Sequence, residues 1–242
     1  MSKPSTHEPA IRGEALPADL AAWLKHANEA KRALEVAGFK RTPTVVREAF
    51  ESMTRHHVTQ APRIPLVLDD LVPGPDYAVP VRIYHPEPRK ELPVTIFVHG
   101  GGHVAGSVSI YDLIARKLAD AAYHLVVSVD YRLAPECPYP AALKDVLAVI
   151  KGVAAVLTQR QCRFTPRLSL IGDSAGGALC ATAAQRLQYE PHIRLHRLVL
   201  IYPSLDYTLS LPSVAENGEG YLLERNRILW FFDSYLQNAE NR

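Results

Sequence analysis

Ser174 stands at the centre of Gly172-Asp173-Ser174-Ala175-Gly176, a G-x-S-x-G arrangement. A serine hydroxyl attacks a carbonyl carbon only when a base takes its proton, and this spacing is how a chain presents such a serine. The glycines have a steric cause. A sharp strand-to-helix turn brings the positions two residues either side of the serine so close that side chains there would collide. The turn also puts Ser174 at a helix N-terminus, where the dipole favours developing negative charge. The competing reading is a serine in a tight structural turn. The apolar "RLSLI" before the motif and the small-residue "GALCATAAQRL" after it favour the nucleophile.

A second glycine-rich stretch, "HGGGH" at 99–103, follows the apolar "TIFV". Consecutive glycines let backbone N–H groups point into a cavity. An oxyanion forming on an attacked carbonyl needs such donors, each worth about 3 kcal/mol of barrier. Gly101 and Gly102 are the expected donors from this loop, with the Ala175 N–H as a third. The alternative, a phosphate cradle, lacks both G-x-x-x-x-G-K-[ST] and G-x-G-x-x-G spacing. His99 is expected to brace the loop rather than act as the base, and His103 to line a substrate pocket.

These motifs need elements to position them. Residues 17–60 read as two helices broken at Gly38 and Pro43, either packed on a core or forming a lid. "IPLVLDDLV" and "YAVPVRIYHP", separated by "PGPD", read as a hairpin. Apolar, β-branched runs follow at 93–100, 125–131, 167–174 and 197–204, alternating with helix-like stretches at 110–123, 140–158 and 175–188. Apolar strands alternating with helices predict an α/β fold with a mostly parallel sheet buried on both faces. Ligands gather at the carboxyl ends of such strands, and "HGGGH", "DYRLAPE" and "GDSAGG" all fall there.

Bulk properties narrow the function classes. The 242 residues suit one α/β domain with a small cap. A net charge of +2 supplies no basic field for nucleic acid. Cys137, Cys162 and Cys180 are an odd count without C-x-x-C spacing, as expected for free thiols in a reducing compartment. The polar start "MSKPSTHEPA" has no apolar leader, and no run approaches a membrane span, so the expected location is cytoplasmic.

With "HGGG" (99–102), "DYRLAPE" (130–136), "GDSAGG" (172–177) and "IYPSLD" (201–206) in place, the sequence resembles the hormone-sensitive-lipase-like family of α/β-hydrolase esterases. The resemblance runs from about residue 60 to 235. Residues 1–60 then correspond to N-terminal cap helices. Residues 61–242 correspond to the α/β-hydrolase core, with a second cap segment near 207–236. The resemblance implies short- to medium-chain carboxylic esters as substrates, no cofactor and no metal, with Asp130, Tyr131 and Asp173 structural.

In this fold the triad order is Ser, then Asp or Glu, then His. After Ser174 the sequence offers His192, His196 and, between serine and histidines, Glu190, all within "YEPHIRLHRLVL" at the amino end of the next strand. Asp206 and Asp233 follow without a later histidine. Only 39 residues follow Pro203, too few for two more βα repeats of about 30 residues each. The expectation is a chain whose last two strands are missing through truncation, frameshift or fragmentation. Such a chain would be inactive or nearly so alone, with an open sheet edge prone to self-association. A non-catalytic scaffold binding a small hydrophobic ligand is the alternative from another class, and an amidase or peptidase on the same site is a third reading.

Overall fold

The computed structural model describes residues 10–11, 14–190 and 192–238. The first nine residues, on which the absence of a leader was read, lie outside the described residues, as does Pro191 of the "YEPH" segment. The described residues form two compact units. One holds the residues up to Arg41 together with Thr208–Trp230; the other holds Thr42–Tyr207 and the residues from Phe231 onward. The first division between these units follows Arg41.

The first unit contains a two-residue ladder, β1 (Ala10–Ile11) with β2 (Glu14–Ala15), then α1 (Ala18–Val36) and the short α6 (Pro212–Glu216). Two segments far apart in sequence meet in it. Asn28 Nδ2 donates to the Gly220 carbonyl at 2.8 Å, and Lys31 forms an ion pair with Glu224. The Arg41 guanidinium lies 6.0 Å from the Trp230 ring centre. The helix expected over 221–236 begins at Arg225, and the residues before it are held by the Gly220 N–H bond to Glu224 Oε1 (2.9 Å).

The second unit begins with α2 (Pro43–His57), which starts where the sequence says it should. Thr42 caps it by accepting the Val45 N–H, and Pro43 sits where no amide donor is needed. A six-stranded sheet follows, in the order β3 (Leu66–Val72), β4 (Val79–His85), β6 (Leu125–Val129), β5 (Leu92–Val98), β7 (Phe164–Asp173), β8 (Leu195–Ile201). β3 and β4 form the expected antiparallel hairpin, and β4 is antiparallel to β6. The pairings β5–β6, β5–β7 and β7–β8 are parallel. The fold class expected from the alternating runs is the one observed.

Helices α3 (Asp112–Ala122), α4 (Ala141–Gln159) and α5 (Ala175–Leu187) connect the parallel strands. Every residue of β6 is buried, as a continuous apolar run requires of a central strand. Tyr84, Phe97, Tyr111 and Val126 form one core cluster with Ala115 and Ala119 of α3. Each large apolar side chain sealed in this way contributes about 1.5–3 kcal/mol of transfer free energy. β8 differs: most of its residues are exposed.

Candidate active site

Ser174 sits between the end of β7 and the start of α5, with φ 52° and ψ −119°. A residue with a side chain enters that region only when its surroundings force it there, and such positions cluster at functional sites. Three backbone bonds do the forcing. The Ser174 N–H donates to the Ile201 carbonyl at 2.9 Å, and the Ser174 carbonyl accepts from Ser204 (3.2 Å) and Ala178 (3.1 Å). The "IYPSLD" strand end thus fastens the turn from one side. Gly176 is required on the other, because a Cβ there would lie 2.1 Å from the Val98 carbonyl oxygen. Ala175 is the first residue of α5, where a backbone N–H has no intrahelical acceptor.

The glycine run follows β5 and is tied directly to the serine turn. Asp173 Oδ1 accepts the Gly100 N–H at 2.9 Å, and Asp173 Oδ2 accepts the Tyr111 hydroxyl at 2.9 Å. Burial raises the Asp173 carboxyl pKa, while these donors and its own backbone N–H pull it back down. With the Gly100 N–H committed to Asp173, Gly101 and Gly102 are the next positions along the run. Gly101 turns the chain back, its carbonyl accepting from Val104 (3.2 Å) and Ala105 (2.9 Å). A Cβ on Gly102 would lie 2.5 Å from the Phe231 ring, so that ring packs on the glycine backbone.

His99 is fully buried and stacked on Tyr131 with ring centres 4.4 Å apart. Its Nδ1 donates to the Gly100 carbonyl at 2.8 Å, and the Tyr131 hydroxyl donates to the His99 carbonyl at 2.8 Å. His103, expected to line a pocket, is only 2 % exposed. It stacks on Tyr235 with ring centres 3.8 Å apart and shares a 2.6 Å hydrogen bond with the Tyr207 hydroxyl. Burial, with a smaller contribution from His99, lowers its pKa to about 3, so the ring is neutral near pH 7.

"DYRLAPE" forms scaffolding. Asp130 Oδ1 accepts the Val108 N–H at 3.0 Å. Arg132 forks onto the buried Asp145 (2.7 Å), a partner the sequence did not reveal. Glu136 pairs with Arg47 of α2 (2.6 Å), which also donates to the carbonyls of Val104 (2.8 Å) and Ala134 (3.1 Å). Arg47 was missed because nothing in a surface-helix arginine marks which loop it will hold.

The strand register locates the two histidines that follow Ser174. Leu195 pairs with Leu168 and Ile201 with Asp173, so His196 lies beside the 168–169 level. Ser174 is five residues further along β7, about 16 Å at the usual rise per residue. His192 precedes β8 and is farther back still. Glu190 pairs with Lys151 at 2.5 Å. The register thus brings none of the three to the serine turn.

A family model described as alpha/beta hydrolase fold matches residues 95–242. Esterase LipI of Mycobacterium tuberculosis is 38% identical over 185 residues, which are 73% of this chain and 58% of LipI. Ethyl acetate hydrolase of Pseudomonas putida is 35% identical over 167 residues, 66% of this chain and 51% of the relative. The chain thus spans about half the length of these curated relatives. Among solved structures, a hyperthermophilic esterase from the archaeon Pyrobaculum calidifontis superposes with a TM-score of 0.77 at 33% identity. That match covers 83% of this chain and 67% of the other. No helix among the described residues is long and apolar enough to cross a membrane.

Proposed function

This chain belongs to the α/β-hydrolase family, in its hormone-sensitive-lipase-like branch of esterases, and we propose that it carries the nucleophile and oxyanion half of a carboxylic ester hydrolase site. Ser174 is the nucleophile. Its Oγ attacks the ester carbonyl, the alcohol leaves, and water releases the acid from the acyl-serine. The N–H groups of Gly101, Gly102 and Ala175 are the donors for the tetrahedral oxyanion. The observation that supports this reading best is the forced backbone of Ser174, held at φ 52° beside a glycine run that Asp173 ties to it. Short- to medium-chain esters are the substrate class, in keeping with the ester in the name of the Pseudomonas relative.

The base is the missing component of the reading. His196 lies about 16 Å back along the sheet from Ser174, which supports the reading that the base is not among the residues of β8. The 242-residue polypeptide is therefore a very poor esterase alone, retaining only what oxyanion donors and binding supply. The cap role belongs to the segments that meet in the first unit, α1 and 208–230. The partner of the site is a small-molecule ester; self-association involves a different surface, the open edge of β8.

The test is hydrolysis of p-nitrophenyl butyrate and labelling by a fluorophosphonate, each with Ser174→Ala alongside. Slow reaction that disappears in Ser174→Ala is expected. Turnover at ordinary enzyme rates, abolished by Ser174→Ala, would overturn the missing base. Residual activity unchanged in Ser174→Ala would overturn the nucleophile.

A further inference from the structure

α1 ends at Val36, and the residues after it are fixed by their own backbone. Gly38 takes φ 74°, the left-handed conformation that stops a helix, and a Cβ there would meet nothing within 4 Å. The glycine thus answers to the turn, not to a neighbour. The Phe39 N–H donates to the Leu34 carbonyl and the Gly38 N–H to the Glu35 carbonyl, each at 3.0 Å. This paired closure brings residues 34 and 39 to the same end of the helix.

The sequence puts large apolar side chains at those places. Leu34 is 50 % exposed, Phe39 54 % and Val36 89 %, within a run from 32 to 42 in which every residue is exposed. Single exposed apolar residues are ordinary. Three between 34 and 39, held at an ordered helix end, make an apolar tip in water. Earlier in α1 the pattern differs: Leu24 is buried, and Asn28 and Lys31 hold the segment from Gly220 to Glu224. The tip is flanked by Arg32, Lys40 and Arg41, none of which has an ion pair among the described residues. Glu35 is the one acid from 31 to 41, and Lys31 pairs with it at 3.5 Å.

We propose that this tip docks the chain on an anionic lipid surface. Leu34, Val36 and Phe39 enter the boundary between headgroups and acyl chains, and Arg32, Lys40 and Arg41 meet the lipid phosphates. Apolar insertion beside unpaired cations is the combination that such a surface selects. The long cationic side chains reach headgroups while their stems lie along the apolar layer. A second copy of the chain fits less well. Three side chains fall short of the roughly 800 Å² per partner of a stable protein interface, and the cations would face their own kind. So small a tip gives reversible, salt-sensitive binding and no permanent anchor.

The test is co-sedimentation of the 242-residue chain with vesicles of phosphatidylcholine alone or with about one third phosphatidylglycerol. Binding to the anionic vesicles, weakened by salt, is expected, with little binding to the neutral ones. Phe39→Ser combined with Val36→Ser should weaken it at least about tenfold. Arg32→Ala combined with Lys40→Ala should do so by a similar factor. Circular dichroism should be unchanged in both, because all four positions are exposed. In a Cys137→Ser background, an environment-sensitive dye on Val36→Cys should shift to the blue with anionic vesicles, and the same dye on Glu29→Cys should not. Binding to neither vesicle would overturn the proposal. So would equal binding to both, binding that survives the two paired variants, or equal dye shifts at 36 and 29. Self-association lost in the Phe39→Ser, Val36→Ser chain, without lipid binding, would assign the tip to a second copy and overturn it too. None of these readouts involves Ser174, so the catalytic reading and this one fail separately.

Discussion

Asp173 Oδ1 accepts the Gly100 N–H at 2.9 Å, so the residue before the candidate nucleophile holds the start of the glycine run. The same carboxylate takes the Tyr111 hydroxyl at 2.9 Å. One side chain thus sets the spacing between two loops that leave different strands, β7 and β5. Asp173→Ala would leave a buried N–H and a buried hydroxyl without acceptors, at about 1–3 kcal/mol each. A loss of about 2–6 kcal/mol in urea unfolding is expected. Asp173→Asn keeps an acceptor for Gly100 and should lose clearly less. Equal losses in the two variants would mean that the acceptor contributes little.

Gly176 tests the close approach of α5 to β5. A Cβ there would sit 2.1 Å from the Val98 carbonyl and 2.5 Å from that of His99, both backbone atoms that no rotamer change can move. Gly176→Ala should destabilise by about 2–4 kcal/mol despite the helix preference of alanine. It should also perturb the His99–Gly100 loop, visible as slower fluorophosphonate labelling at Ser174 under conditions where the variant is fully folded. Stability equal to that of the parent chain would show that α5 can move off the sheet.

The sequence made some parts of this molecule legible and not others. Gly172 and Gly176 were legible because the turn demands them by sterics, which spacing alone expresses. The parallel sheet was legible because runs such as "LVVSV" are buried on both faces and so carry no alternation. The role of Asp145 was not legible, since a helix aspartate looks the same whether it faces water or a buried arginine fork. Nor was the unit division: α2 has the same helical texture as α1, and only the burial of Val46, the bond of Arg47 to the Val104 carbonyl and the packing of Phe50 on the Tyr84–Phe97 cluster place it with the second unit. The seal around His103 was missed because Tyr207 and Tyr235 lie more than a hundred residues away in the chain.

His103 gives the chain a pH signature whose sign follows from its burial. Its pKa falls from the ordinary value near 6.5 to about 3, because burial between Tyr207 and Tyr235 penalises the charged ring and nearby His99 adds to the effect. Above about pH 6.5 both folded and unfolded chains hold a neutral ring, and the full stability is present. As pH falls toward 3 the unfolded chain takes up a proton that the folded chain refuses, so stability is lost at up to about 1.4 kcal/mol per pH unit. His99, also lowered by burial, acts in the same direction. Asp173, raised by burial, opposes them, since the folded chain protonates it first as pH falls. His103→Phe keeps a ring on Tyr235 and removes the titration. It should be less stable at pH 7 by about 1 kcal/mol, for the lost Tyr207 bond. Its urea midpoint should fall more gently than that of the parent chain between pH 6.5 and 4. Parallel curves for the two proteins over that window would show that His103 titrates normally and that the ring is not sealed.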